Sequence, residues 1–161
     1  MNEPLDSLSA NTQISDEDSA LLLDTLKHYF GYEQFRKGQA EIINSLLQGQ
    51  DSLVLMPTGG GKSLCYQLPA VLLPGITIVV SPLIALMKDQ VDGLTRQGID
   101  AAFINSSLEA SEINAIFKRL TQGSIKLLYV APERLTNYYF LQRLNELPLS
   151  LFAIDEAHCI S

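Results

Sequence analysis

The sequence predicts an α/β fold in which a parallel sheet is covered by helices on both faces. Three observations carry that prediction. Short uninterrupted apolar runs, such as Ile76 to Val80 and Leu151 to Ile154, alternate with longer segments whose apolar residues recur at helical spacing. Glycine, proline and small polar residues punctuate the joins. A length of 161 residues with 47% hydrophobic composition suits one such domain and is too short for two.

The elements follow in order. Met1 to Ser15 is polar, acidic and without apolar periodicity, so residues 1–15 are expected to be a disordered acidic tail and residues 16–161 the folded domain. Asp16, Asp18 or Ser19 can cap a helix running to about Tyr29, with Leu22, Leu23, Leu26 and Tyr29 on one face, and a turn is expected at Gly31. A second helix is expected from about Lys37 to Leu47, where Ile42, Ile43, Leu46 and Leu47 form the stripe and Gly49 the stop. The run from Ser52 to Leu55 reads as a buried strand, followed by a glycine-rich turn and a helix carrying Leu64, Leu68, Val71 and Leu72. Strands are then expected at Ile76 to Val80, Ala101 to Ile104, Lys126 to Val130 and Leu151 to Ile154. Helices at Leu83 to Gln97, Glu109 to Thr121 and Tyr138 to Asn145 connect them. Ligands of such sheets gather beyond the carboxyl ends of the strands, which points to the segments after Met56, Ser81, Ala131 and Asp155.

Composition excludes several function classes. The formal charge of −7 is concentrated in residues 1–26, which contain six acids and no base; the remainder has 12 acids against 11 bases. Bulk charge therefore does not argue against a nucleic-acid partner. Two cysteines, Cys65 and Cys159, have neither the number nor the spacing of a disulfide framework or a metal site. The N-terminus lacks the basic and apolar regions of a signal peptide, and a cytoplasmic location is expected. The 25 uncharged residues from Ser63 to Met87 are too interrupted by Pro69, Pro74, Gly75 and Pro82 to span a membrane.

The chemistry begins at MPTGGGKSLCYQLPA, Met56 to Ala70. Gly59, Gly60 and Gly61 allow successive backbone N–H groups to converge on one anion. A helix starting near Lys62 directs its positive end at the same anion, and Lys62 adds a mobile charge able to reach the terminal phosphates of a nucleotide. Ser63 has the hydroxyl that a nucleotide-bound Mg²⁺ needs, so Thr58 to Ser63 form the candidate phosphate cradle. Met56 stands where the general G-x-x-x-x-G-K-[ST] pattern has its first glycine.

Leu151 to Ile154 runs straight into Asp155, Glu156, Ala157 and His158. Two adjacent carboxylates at a strand end can divide the work of hydrolysis: Asp155 for the metal shell, Glu156 for the attacking water. His158 alone is more often a structural hydrogen-bonding residue than a catalytic one.

Asp-Glu-Ala-His resembles the DEAH box of superfamily 2 helicases, and its extension DEAHCIS together with MPTGGGKSLCYQLPA is similar to the RecQ family of DNA helicases. FGYEQFRKGQAEII resembles that family's nucleotide-recognition motif, and SPLIALMKDQV and YVAPERL its two DNA-contacting motifs; Met56 is no departure within it. The resemblance implies a RecA-like P-loop NTPase domain and an ATP-dependent helicase moving 3′ to 5′ on DNA in recombination and repair. It implies that Gln39 reads adenine, Arg36 supports the site, and Tyr32 stacks on the base, with core packing the rival role for Tyr32. It makes Lys62, Asp155, Glu156 and His158 catalytic and has Ser63 and Asp155 hold Mg²⁺. Ser81 to Gln90, with Lys88, and Ala131 to Arg134, including Pro132, would lie along single-stranded DNA, although Lys88 and Arg134 could equally be solvated surface charges.

The family continues where this chain stops. By the resemblance, Ser161 would be followed by the rest of this domain, a second RecA-like domain with an arginine finger, and a zinc-binding region; zinc is expected only there. The expected partners are single-stranded and partly duplex DNA, and a single-stranded-DNA-binding protein through that further region. An isolated segment is expected to be inactive. Rival readings are a non-catalytic nucleotide-binding module and, with less support because no arginine cluster is present, a P-loop kinase.

Overall fold

The computed structural model describes residues 13–56 and 61–155. Among them, four strands form one parallel sheet in the order β2-β3-β1-β4, where β1 is Ile76–Val80, β2 Ala101–Ile104, β3 Leu127–Val130 and β4 Leu149–Ile154. The expected α/β architecture is therefore present.

Side-chain alternation along the strands builds two cores. Ile76, Ile78 and Val80 join Leu128, Val130 and Ile104 against α5 (Ala110–Thr121) and α6 (Tyr138–Asn145), which contribute Phe117, Leu120, Phe140 and Leu144. Val79, Leu127 and Tyr129 face the other way, onto Tyr66 and Ala70 of α3 (Leu64–Leu72) and Met87, Val91 and Leu94 of α4 (Ile84–Arg96). Burial on both faces is why these strands read as continuous apolar runs. A third cluster, of Leu22, Leu26, Ile43, Leu64 and Leu68, packs α1 (Asp16–Thr25) and α2 (Gln39–Leu47) onto the outer side of α3. Each fully buried aliphatic side chain contributes about 1.5–3 kcal/mol relative to exposure, so these layers hold the sheet edge still.

Most expected elements appear within a residue or two. The first helix differs in its cap: Ser15, extended at ψ 156°, accepts from the Asp18 N–H, and Asp16 to Asp18 fill the first turn. A cap needs non-helical backbone and an oxygen that reaches two or three residues on, which Ser15 supplies from one position earlier than expected. The helix continues as a π-turn over Leu26–Phe30 and stops at Gly31, whose φ is 72°. Glu109 caps α5 reciprocally with Glu112. α3 runs through Pro69 to Leu72, giving up one ladder bond.

Two expectations are corrected. Residues 51–56 form no strand, and Leu53 and Leu55 are 86% and 88% exposed, so Met56 does not end a strand. A strand exists only where a neighbour completes its ladder, and β4 is the edge of the described sheet. For the same reason β4 is not buried throughout: Phe152 and Ile154 are exposed while its alternate residues pack inward. No helix among the described residues is long and apolar enough to cross a membrane.

The centre of the sheet contains one polar group without a partner, the Thr77 Oγ1 on β1, which finds no hydrogen bond among the described residues. An unsatisfied buried hydroxyl costs about 1–3 kcal/mol. Thr77→Val should therefore raise the unfolding free energy by about 1 kcal/mol in urea denaturation; a destabilised variant would show that the hydroxyl has a partner after all.

Candidate nucleotide site

The carboxyl edge of the sheet is aligned by backbone hydrogen bonds. Asp155 N–H donates to Val80 O at 2.9 Å, Ser81 N–H to Val130 O at 3.1 Å, and Ala131 N–H to Ile104 O at 3.2 Å. Consequently Asp155, Ser81, Ala131 and Asn105 stand in a row, each one residue beyond its strand.

Thr58, Gly59 and Gly60 of the cradle lie outside the described residues, as do Glu156 and His158. Gly61, Lys62 and Ser63 are described and lead straight into α3. The Cys65 N–H donates to Lys62 O at 3.0 Å and the Gln67 N–H to Ser63 O at 2.9 Å, which sets Lys62 and Ser63 at the positive end of the helix. Gly61 has φ 83°, a conformation that side chains with a Cβ rarely adopt. A Cβ there would also run into the side-chain amide of Gln39.

Gln39 is 2% exposed and is occupied at both ends. Its Oε1 accepts from the Arg36 N–H at 2.8 Å, and its Nε2 donates to Gly61 O at 3.1 Å. The amide thus ties the segment containing Tyr32 and Arg36 to the end of the phosphate loop. Its Nε2 keeps a second hydrogen beyond these two bonds. Tyr32 is 56% exposed, which leaves its ring face open, whereas Phe30 and Phe35 pack against the helical cluster.

The strongest polar convergence involves residues that sequence reasoning missed. Tyr66 projects from α3 into the space beneath the strand ends and is 8% exposed. Its hydroxyl lies 3.4 Å from Asp155 Oδ2, 3.4 Å from Gln90 Oε1 on α4, and 3.3 Å from the Tyr129 hydroxyl on β3. Gln67 Nε2 donates to the Tyr129 hydroxyl at 3.1 Å. Burial, followed by the neighbouring Tyr129, pushes the Tyr66 pKa far up, and burial raises that of Tyr129. Both phenols therefore stay protonated donors. The one signal for them in the sequence was a polar-tipped aromatic inside an otherwise aliphatic strand, Leu127-Leu128-Tyr129-Val130.

A hydroxyl and a carboxylate are the oxygen donors a hard cation prefers, so the donor chemistry of Ser63 and Asp155 is compatible with Mg²⁺. No group of three or more His, Cys, Asp or Glu residues forms a metal cluster among the described residues. Cys65 is buried, and burial raises its thiol pKa, in keeping with a packing role.

The remaining candidates lie along the same edge in different states. Ser81 is 5% exposed, and its Oγ accepts from the Leu83 N–H at 3.2 Å, so its side chain shapes the turn into α4. Lys88 is exposed and pairs with Asp92 at 2.7 Å, which raises its pKa. Pro132 opens a 3₁₀ turn, Pro132–Thr136, after β3. Arg134 donates from Nη2 to Asn105 O at 2.8 Å, tying that turn to the end of β2.

A family model described as DEAD/DEAH box helicase matches residues 36–161. Over 139 residues the chain is 53% identical to the ATP-dependent DNA helicase RecQ of Haemophilus influenzae, covering 86% of this chain and 22% of that protein. It is 54% identical over 137 residues to the ATP-dependent DNA helicase RecQ of Bacillus subtilis, covering 84% and 23%. The RecQ-like DNA helicase blm-1 of Caenorhabditis elegans is 49% identical over 147 residues, 87% of this chain and 15% of that protein. The chain thus spans less than a quarter of the length of these relatives.

The Gly61 geometry has a direct consequence. Gly61→Ala imposes a left-handed conformation costing about 1–2 kcal/mol and displaces Gln39, so nucleotide affinity should fall on the order of tenfold in a fluorescent-nucleotide titration. Unchanged affinity would mean that the loop relaxes without cost.

Proposed function

The chain belongs to the DEAD/DEAH box helicase family, and from that membership we propose that it is the ATP-binding part of an ATP-dependent DNA helicase of the RecQ type. Residues 16–161 would form its first RecA-like domain, hydrolysing ATP to drive movement along DNA in the 3′-to-5′ direction. The observation that carries the reading is that helix α3, which starts straight after Lys62 and Ser63, reaches the acidic strand end through Tyr66, whose hydroxyl lies 3.4 Å from Asp155 Oδ2. A contact that brings the helix behind the phosphate loop to the acidic strand end, 89 positions away in sequence, supports one ligand shared between the two motifs.

In this reading the loop N–H groups and Lys62 bind the phosphates of ATP, and Ser63 and Asp155 hold its Mg²⁺, which supplies charge neutralisation at the transferred phosphoryl group. Glu156 orients the attacking water, with His158 completing the acidic signature beside it. Gln39 reads adenine through the hydrogen-bonding capacity left on its amide, Arg36 supports it, and Tyr32 stacks on the base. Single-stranded DNA runs along the edge formed by Ser81 to Gln90 and Ala131 to Arg134, held by hydroxyls, backbone N–H groups and the cations Lys88 and Arg134 without base readout. The partners are single-stranded and partly duplex DNA, which places the protein in the cytoplasm or at the nucleoid. A single-stranded-DNA-binding protein and a zinc site would belong to regions outside these residues.

Lys62→Ala in the full-length protein should abolish ATP-dependent unwinding, because the cation opposite the transferred phosphate is lost, while DNA binding largely survives. A strand-displacement assay alongside fluorescence anisotropy separates the two; unwinding at wild-type rate would refute the phosphate-loop assignment.

Gln39→Ala should weaken ATP more than GTP, since the loss of one donor-acceptor pair leaves base atoms unpaired. Equal losses for the two nucleotides, measured by competition titration, would reduce Gln39 to its bridge between Arg36 and Gly61.

A further inference from the structure

The Tyr66 hydroxyl has one hydrogen and faces three oxygens at almost the same distance: Asp155 Oδ2 at 3.4 Å, Gln90 Oε1 at 3.4 Å and the Tyr129 hydroxyl at 3.3 Å. It can donate to one of them at a time. These acceptors belong to different parts of the site. Asp155 ends β4 at the ATP and metal side, while Gln90 sits on α4, which begins three residues after Ser81 and carries Lys88. Tyr129 lies two residues before the Pro132 turn begins its approach, at Ala131.

We propose that Tyr66 is a positioning residue that couples nucleotide binding to DNA binding by donating its single hydroxyl proton either to Asp155 or to Gln90. The inference rests on the helicase reading and adds to it the element that links the two sites. A bare carboxylate is a stronger acceptor than an amide oxygen, since hydrogen bonds to ionised groups are about twice as strong as neutral ones. With no nucleotide, the proton belongs to Asp155. Once Asp155 serves Mg·ATP, its charge is partly neutralised and its advantage as an acceptor falls. The proton then turns to Gln90 Oε1 and draws α4 toward α3, resetting the edge on which DNA lies. Gln67 keeps the neighbouring Tyr129 hydroxyl supplied with a donor, so Tyr129 does not compete for a fixed share of that proton. Because both ligands bias the same two-state element, the coupling must be reciprocal: nucleotide changes DNA affinity by the factor by which DNA changes nucleotide affinity.

The test is an equilibrium one on the full-length protein. Anisotropy titrations measure the affinity for a fluorescent single-stranded oligonucleotide with and without a non-hydrolysable ATP analogue and Mg²⁺, and the ratio is the coupling factor. Coupling energies typically correspond to about 5- to 150-fold, and we expect at least about tenfold in the wild type. Tyr66→Phe should bring the factor to within about twofold of unity. Gln90→Met should do the same without touching the buried ring, and the double variant should lose nothing further, because both cut one link. Losses that multiply in the double variant, or a Tyr66→Phe protein with wild-type coupling, overturn the proposal, as does a wild type that binds both ligands without coupling. If Tyr66→Phe fails to fold, by thermal unfolding, Gln90→Met decides alone: retained coupling overturns the proposal. A wild type that binds no ATP analogue or no DNA fails the helicase reading itself, which the wild-type titrations reveal before any variant is compared.

Discussion

A parallel sheet buried on both faces leaves polar chemistry one place to go, and the rest of this molecule is arranged around that constraint. Apart from Thr77 and Tyr129, the side chains of β1 and β3 are apolar and committed to the two cores, so charged groups emerge only past the last ladder bond. The bonds from Asp155 to Val80, Ser81 to Val130 and Ala131 to Ile104 align those exits. Because every strand points the same way, four segments distant in sequence deliver their first loop residues to one line.

Helix α3 connects this edge to the phosphate loop. Its N-terminus receives Lys62 and Ser63, its inner face seats Tyr66 against β3 and α4, and its outer face carries Leu64 and Leu68 into the cluster with α1 and α2. The same helix therefore anchors the segment containing Tyr32 and Arg36, which Gln39 clamps onto Gly61. A displacement of α3 would be felt at the segment containing Tyr32 and Arg36, at Asp155 and at Gln90 together. Close packing transmits such shifts because interiors have little slack to absorb them.

The buried polar cluster beneath the edge has a cost that the fold offsets. Two phenols, two amides and a carboxylate gather where apolar side chains would pack without desolvation, and each needs its partner to avoid an unsatisfied group. Thr77, within β1, has no such partner among the described residues. Arg134 and Asn105 form a separate tie further along the edge, where a guanidinium serves a backbone carbonyl and keeps the post-β3 turn against β2.

The sequence by itself determined the fold class, the positions of β1, β2, β3 and the helices, and the two nucleotide motifs, because each is written in local periodicity, turn residues and short-range spacing. Lys62, Ser63 and Asp155 were legible as candidates for that reason, whereas Tyr32 was a candidate only through the family resemblance. Only the tertiary structure decided that Tyr66 meets Asp155, Gln90 and Tyr129, that Gln67 meets Tyr129, and that Gln39 grips Gly61, since those contacts join residues up to 89 positions apart. It also decided against a strand at residues 51–56 and against full burial of β4. An apolar run records the capacity to pair; whether a neighbouring strand stands beside it is a property of the assembled sheet, which no local pattern encodes.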